Sequence, residues 1–197
     1  MDFARHIAQG QRADLSATEY AALRQTIANR GMARMLVAPG SCLGWAAITV
    51  FHQGPGGSVV APLLSLAVLV AGFESVHALH VGTERIGRYL QVYYEEDLNG
   101  PRWESTAMMV GPALPGGGID PLFSGLFLGT GLLNLLAARP SLALPAAFAA
   151  VVAVHGAFAF RIVRARLAAT RQRAVELESF KALQSRERAQ SSSPPIP

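Results

Sequence analysis

The sequence predicts an all-α protein that crosses a membrane four times, as a four-helix bundle of two transmembrane hairpins with cytoplasmic helical extensions. Hydrophobic residues make up 51% of the 197 residues and charged residues only 15%, whereas soluble domains carry about 25% charge. No charged residue occurs between Arg34 and Glu74, and that stretch is long enough for two membrane helices of about 20 residues each. Membrane spans are favoured over buried helices of a soluble core, because a chain of this size cannot bury four such helices from water.

The first predicted hairpin has spans near 35–52 and 59–79, joined by an uncharged turn rich in glycine. Glycine and proline in such a segment are typical of a tight turn. Ser16 and Glu19 have the spacing of a capping box, in which each side chain accepts a backbone N–H of the other residue. This spacing predicts that a helix begins at Ser16 and continues into the first span.

The second predicted hairpin has spans at 121–138 and 141–160, with Arg139 in the turn between them. Pairs of glycines four residues apart occur in both hairpins. They are Gly40 and Gly44 in the first span, and Gly125 and Gly129 in the third. Small residues at this spacing let helices approach closely in lipid, and they favour packing within the chain over a dimer interface.

The distribution of arginines predicts the orientation. Arginines cluster before the first span, between the hairpins and after the last span, and basic loops remain on the cytoplasmic side. Both termini are therefore expected in the cytoplasm, and the protein in a bacterial-type inner membrane. The chain then divides into a cytoplasmic N-terminal helical segment (1–34), a first membrane hairpin (35–80), a cytoplasmic helix with a Gly/Pro-rich loop (81–119), a second membrane hairpin (120–160), a basic cytoplasmic helix (161–190) and a disordered tail (191–197).

Two helices are predicted to extend beyond the membrane. No helix breaker follows the second span before Asn99, so that helix is expected to reach about Leu98. Residues 102–110 are expected to add a short helix, and the last span to extend to about Arg188. Acidic residues at 95–97 lie at a helix end where the macrodipole disfavours them. Compensation is expected from three arginines, namely Arg102, Arg164 and Arg166.

Seven polar residues share one face of the second helix, since successive residues turn by about 100°. They are Glu74, His77, His80, Glu84, Arg88, Gln91 and Glu95. Glu74 is expected inside the hydrocarbon, where a carboxylate is costly and needs a partner. The expected partners are His77, one turn along the same face, and His155 on the fourth span. Counted from inner borders at Glu84 and Arg161, the two histidines lie at similar depths of about 10 and 9 Å.

Three interpretations of these residues remain open. One is a hydrogen-bonded Glu–His pair that fixes helix packing. Another is a transition-metal site for iron, manganese or zinc, because carboxylate and imidazole groups on one helix face are suitable ligands. Its candidate ligands are Glu74, His77, His80, Glu84 and His155. The third is haem b, held by His77 and His155 from different helices.

The expected function is that of a non-enzymatic accessory or scaffold subunit, with a protein partner at 81–104 and 161–188. A membrane-embedded metal- or haem-dependent redox subunit and a dimeric transporter are the alternatives, and a homo-oligomer remains open. Nucleic acid is not an expected partner, because the arginines lie beside apolar runs. Anionic membrane lipids are expected to bind the basic C-terminal helix, through Arg161, Arg164, Arg166, Arg171 and Arg173.

Overall fold

The computed structural model describes residues 2–51, 60–95, 102–110, 119–138 and 145–192, and no strand occurs in these ranges. The helices are α1 (Asp2–Phe51), α2 (Val60–Tyr93), α3 (Trp103–Val110), α4 (Ile119–Ala138) and α5 (Pro145–Ser192). Four of them, α1, α2, α4 and α5, are long and apolar enough to cross a membrane. The predicted all-α class and the four helices suited to span a membrane are therefore confirmed. The turns of both predicted hairpins lie outside the described residues.

The first helix is continuous from Asp2 to Phe51. The predicted helix start at Ser16 is therefore wrong. The segment before Ser16 is rich in alanine, glutamine and arginine, which favour a helix as strongly as the segment after it. The hydroxyl of Thr18 donates to the carbonyl of Asp14 at 2.8 Å, a bond that threonine makes within a helix rather than at its start.

The other extensions agree more closely with the prediction. The short helix expected at 102–110 is present as α3, and α5 continues through Arg188 to Ser192. The second helix ends at Tyr93 rather than near Leu98. It ends there because the N–H groups of the next two residues, Tyr94 and Glu95, both donate to the carbonyl of Leu90.

Helices α1 and α2 pack against each other in antiparallel directions over much of their length. Towards one end, the hydroxyl of Tyr89 donates to Glu19 at 3.0 Å, and towards the other, Ser41 faces Gly72. A Cβ atom built at Gly72 would lie 2.5 Å from the Cβ of Ser41, closer than two side chains can come. Glycine at this position therefore permits the close approach of the two helices.

The four glycines of the two spaced pairs have different surroundings. A Cβ at Gly44 would lie 3.2 Å from Cγ1 of Val68 on α2, so Gly44 faces a neighbouring helix. A Cβ at Gly40, Gly125 or Gly129 would meet no other atom within 4 Å. The expected packing within the chain is therefore confirmed for Gly44 and wrong for the other three.

Helices α2 and α5 run in the same direction, and their register is nearly constant from Glu74 to Arg88 but shifts towards the end of α2, where Gln184 bonds Val92, 92 residues away. Arg161 donates to Glu74 at 2.8 Å, and Arg88 donates to Glu176 at 2.9 Å. The partners are 87 and 88 residues apart in the two pairs. Between Glu74 and Arg88, the level of a residue on α2 can therefore be assigned to a residue on α5.

The helices form two halves of different chemistry. The apolar half comprises residues 35–51, 60–73, 119–138 and 145–160. The charged half comprises residues 14–34, 74–95, 102–110 and 161–192. Phe73 lies in the core of the apolar half, where the rings of Phe127 and Phe158 meet it edge-on at 5.7 and 6.0 Å. Large apolar side chains such as Leu43 and Leu132 are exposed on its outer faces, as suits helices that face lipid.

Candidate functional site

A hydrogen-bond network inside the apolar half joins the four long helices. Trp45 of α1 donates its ring N–H to Oδ1 of Asn134 on α4 at 3.1 Å. The amide nitrogen of Asn134 lies 2.9 Å from the carbonyl oxygen of Pro62 on α2 and 3.0 Å from Nε2 of His155 on α5. His155 completes the network through Nδ1, which lies 2.7 Å from the carbonyl oxygen of Val151.

The hydrogen bonds of this network assign the tautomer of His155. A carbonyl oxygen only accepts hydrogen bonds, so Nδ1 carries the proton and Nε2 accepts from the amide of Asn134. Both ring nitrogens are therefore engaged, and the side chains of His155 and Asn134 are buried. Because polar groups in hydrocarbon need internal partners, we assign the network a structural role in helix packing.

The carboxylate of Glu74 pairs with an arginine that the sequence pattern did not predict as its partner. Its Oε2 accepts from Nη2 of Arg161 at 2.8 Å, and both side chains are about two-fifths exposed. The predicted partner His155 is wrong, because its ring is bonded to Asn134 instead. The polar border of α2 therefore lies at Glu74, about three turns before the expected position.

This border places the two histidines of the predicted haem site at different levels. His77 stacks on the ring of Phe73 at 5.9 Å and lines an opening together with Ala165 of α5. Ala165 is ten residues after His155, which is about 15 Å along the helix axis. His77 and His155 are not brought together, and the geometry does not support haem held between them.

The five predicted metal ligands are distributed over separate contacts. In the part of the chain that the structure describes, no group of three or more His, Cys, Asp and Glu side chains could hold a metal ion. Glu84 accepts hydrogen bonds from Arg88 and Arg173 at 3.1 and 2.8 Å, and Nδ1 of His80 lies 2.9 Å from Nη1 of Arg34. Guanidinium groups thus contact three of the predicted ligands, Glu74, His80 and Glu84. The other two lie elsewhere: His77 stacks on Phe73, and His155 is bonded to Asn134.

Among the described residues, two openings flank α5 at the border between the halves. The first lies between α2, α4 and α5, and its polar lining includes His77, His80, Ser124 and Arg166. The second, which we call the border groove, lies between α2 and α5 and has a volume of about 370 Å³. It is lined by His77, Phe160, Arg161, Arg164 and Gln172, and by two alanines of α5. All its polar side chains carry N–H groups and none is a carboxylate, so the border groove suits an anion.

The arginines expected to contact lipid have different surroundings. Arg161 and Arg173 pair with carboxylates of α2. The other three are exposed, namely Arg164, Arg166 and Arg171. The guanidinium carbon of Arg164 lies 6.0 Å from the ring centroid of Phe160, which is within cation–π range. Arg164 therefore lines the border groove. Unlike Arg161, it forms no ion pair with a carboxylate among the described residues.

An ion-pair network centred on Arg88 joins α2 to α5 in the charged half. The buried guanidinium of Arg88 donates to Glu84 at 3.1 Å and to Glu176 at 2.9 Å. Each carboxylate has a second cation. Glu84 contacts Arg173 at 2.8 Å, and Glu176 contacts Arg85 at 3.1 Å. The extension of α5 is therefore attached to α2 well beyond the apolar half.

The acidic end of α2 caps the start of α3. The carboxylate of Glu95 accepts the backbone N–H groups of Glu104 and Ser105 at 2.8 and 2.7 Å, where the helix dipole favours negative charge. The negative charge of Glu95 was expected to be compensated by arginines, but the backbone N–H groups of α3 compensate it instead. Residues 96 and 97 lie outside the described residues. Glu104 also pairs with Arg24 of α1. Burial raises the pKa of Glu104, and the opposing effect of Arg24 offsets this only in part.

Several of these partners carried no signal in the linear pattern. The partners of Glu74 and Arg88 on α5 are 87 and 88 residues away, and those of Asn134 on other helices are 21 to 89 residues away. No periodicity connects such distant positions. The polar groups of the apolar spans, Trp45 and Asn134, offered the one usable signal, because buried polar groups need partners. No protein-family model, curated protein or solved structure matches the chain.

Proposed function

We propose that the protein is a non-enzymatic scaffold of a bacterial-type inner membrane, which holds a partner protein against the cytoplasmic face through its charged half. In this proposal the apolar half forms two membrane hairpins. The charged half and both termini lie in the cytoplasm, because the basic segments flank the spans on that side.

The observation that carries the proposal is an exposed tryptophan on a firmly attached helix. α3 has only eight residues, too few for a stable isolated helix. It is attached through the cap from Glu95 and the ion pair between Arg24 and Glu104. Trp103 on this helix nevertheless remains 63% exposed. Tryptophan is enriched among the residues that dominate protein–protein binding.

The position of Trp103 favours a protein partner over the membrane surface. Its neighbour Glu104 bonds to Glu95, which follows Glu74 by 21 residues, or about 30 Å along a helix. Tryptophans that anchor a protein in the membrane lie at the headgroup level. Trp103 is therefore too distant from the border at Glu74 to act in that way.

The contacts within the charged half support the same function. Arg88 joins α2 to α5, Gln184 of α5 donates to the carbonyl of Val92 at 2.8 Å, and Tyr89 of α2 joins Glu19 of α1. A surface that is already ordered loses less conformational entropy when a partner binds. The charged half therefore presents Trp103 from a pre-organised support.

The proposal is tested by crosslinking in living cells. A photoreactive amino acid at Met109, which is exposed on the same helix, should form an adduct of defined mass with one other protein. Trp103→Ala should reduce that adduct at least about fivefold, as expected for loss of a hot-spot residue. The control Leu132→Ala alters an exposed residue of the apolar half and should leave the adduct unchanged.

Two outcomes would contradict the scaffold function. One is the absence of any protein adduct at Met109, or an adduct that Trp103→Ala leaves intact. The other is an adduct that contains only a second copy of this chain. The metal- or haem-dependent redox subunit and the dimeric transporter stay predictions, since no contact among the described residues favours them.

A further inference from the structure

We infer that the border groove binds one anionic glycerophospholipid, with its phosphate held by Arg164 together with Arg161 and His77, and its acyl chain lying over Phe160. This site is independent of the scaffold function, because it lies at the border between the halves and not at α3.

The polar lining of the border groove is complementary to a phosphate diester. Two guanidinium groups and one imidazole line it, and such groups supply N–H donors to anionic oxygens. The amide of Gln172, at the far end of the groove, donates to Glu176 at 3.0 Å. Its volume of about 370 Å³ falls within the range of roughly 300–1,000 Å³ that is typical of ligand sites. The groove therefore offers both the charge and the room that a phosphate with its ester groups needs.

Arg164 is the residue best placed to select the anion. Its side chain is exposed, and among the described residues it contacts no carboxylate. Its guanidinium lies over the ring of Phe160 at 6.0 Å, so the contact with an aromatic face orients the charge. Arg161 contributes less, because Glu74 already accepts one of its N–H groups at 2.8 Å.

The level of the groove favours a lipid over a free phosphate ion. The ion pair between Glu74 and Arg161 marks the point where charged residues begin, and Phe160 lies on its apolar side with 63% of its surface exposed. A phosphate bound at Arg164 thus lies beside an uncovered apolar surface. An acyl chain attached to that phosphate would cover Phe160, whereas inorganic phosphate would leave it exposed to water.

The ion pair at Arg161 makes the proposal testable by a gain of affinity. The carboxylate of Glu74 and a lipid phosphate would compete for the same guanidinium. Glu74→Gln removes the competing charge and should strengthen lipid binding, which misfolding cannot imitate. The matched control is Glu178→Gln, an equal change of charge at an exposed position of α5 far from the groove.

The experiment is a titration of the delipidated full-length protein in detergent, followed by native mass spectrometry. The probes are dioleoyl-phosphatidylglycerol and the zwitterionic dioleoyl-phosphatidylcholine. We expect one phosphatidylglycerol to bind about tenfold more tightly than phosphatidylcholine. Arg164→Gln should weaken phosphatidylglycerol binding about fivefold, and Glu74→Gln should strengthen it about threefold. Arg171→Gln and Glu178→Gln should each change it by less than about twofold.

Three outcomes would overturn the inference. Equal weakening by Arg164→Gln and Arg171→Gln would show diffuse attraction to the basic helix rather than a site. Equal effects of Glu74→Gln and Glu178→Gln would show a dependence on net charge alone. Competition by glycerol 3-phosphate at the affinity of the intact lipid would show a phosphate site without an acyl chain. In the proposed site, Phe160→Ala weakens phosphatidylglycerol binding and leaves glycerol 3-phosphate binding unchanged.

Discussion

The two halves of the molecule bury polar side chains to a similar degree but satisfy them with different chemistry. Asn134 in the apolar half is 2% exposed, and its network consists of neutral groups. Arg88 in the charged half is 6% exposed and lies between two carboxylates. A charge is far more costly than an amide in hydrocarbon. Among the residues that the structure describes, ion pairs therefore occur only from the level of Glu74 onwards.

The halves also differ in redundancy. The ring N–H of Trp45 and Nε2 of His155 both depend on the single amide of Asn134. The carboxylates bound to Arg88 each keep another arginine, namely Arg173 or Arg85. The apolar half thus has a polar contact that no neighbour can replace. In the charged half, each carboxylate keeps one arginine when the contact with Arg88 is lost.

The largest effect is expected from Asn134→Leu. This change leaves the ring N–H of Trp45 and Nε2 of His155 without a partner, and three hydrogen bonds together should cost about 3 kcal/mol of unfolding free energy. The control is Gln184→Leu, which removes the amide bonded to Val92 in the charged half and should cost about 1 kcal/mol. Denaturant unfolding in detergent measures both. Equal losses would remove the distinction between the halves.

A smaller difference is expected when a methyl group is added to α2 in each half. Gly72→Ala places a Cβ against the Cβ of Ser41, and such overpacking should cost about 2 kcal/mol. Gly82→Ala meets the guanidinium end of Arg30, a flexible side chain that can move aside, so it should cost less than about 0.5 kcal/mol. Thermal melting measures the two variants. Adding Ser41→Gly should restore part of the stability lost in Gly72→Ala, and it should restore none in Gly82→Ala.

Arg88→Met tests the redundancy of the charged half. Breaking a buried ion pair usually costs about 3–5 kcal/mol, but Glu84 and Glu176 keep other arginines, so we expect about 1.5 kcal/mol here. Adding Arg173→Met leaves Glu84 with neither guanidinium, and the double variant should lose more stability than the two single variants together. A strictly additive result in denaturant unfolding would contradict the shared network.

The smallest expected effect is the pH dependence at Glu104. Because burial raises the pKa of Glu104 in the folded protein, the folded state binds a proton more readily than the unfolded state. Its contribution is fully present below the unfolded pKa of about 4.3 and is lost as the pH rises through the raised value. The melting temperature of the wild type relative to Glu104→Gln should therefore fall from pH 4 to pH 7. A rise over this interval would show that the pairing with Arg24 dominates.

Local features of the fold were predictable because they depend on neighbouring residues. Runs of apolar residues predicted the four helices suited to span a membrane. The absence of breakers before Asn99 predicted that α2 extends beyond its apolar run, although α2 ends at Tyr93 and not near Leu98. The start of α1 was not predictable from Ser16, since a capping pattern does not end a helix when the preceding residues also favour one.

The candidate site was predictable only in part. The cost of a carboxylate near hydrocarbon predicted that Glu74 needs a partner, and Arg161 is that partner. Lipid binding at the basic run after Phe160 stays a prediction. The partner itself was misassigned, because the border of α2 was counted from Glu84. An error of about three turns along one helix was enough to place His77 beside His155.

By itself the sequence determined the chemistry of each helix: which stretches are too apolar for water, where the charges begin, and that the buried polar groups need partners. Only the tertiary structure decided which partners they have. Hydropathy is a sum over residues that are adjacent in the chain. Glu74 and Arg161 are 87 residues apart in the chain, so their pairing depends on the register between α2 and α5. Contacts between α2 and α5 such as the ring of Phe73 against the ring of Phe158 accompany that register, and no linear pattern contains them.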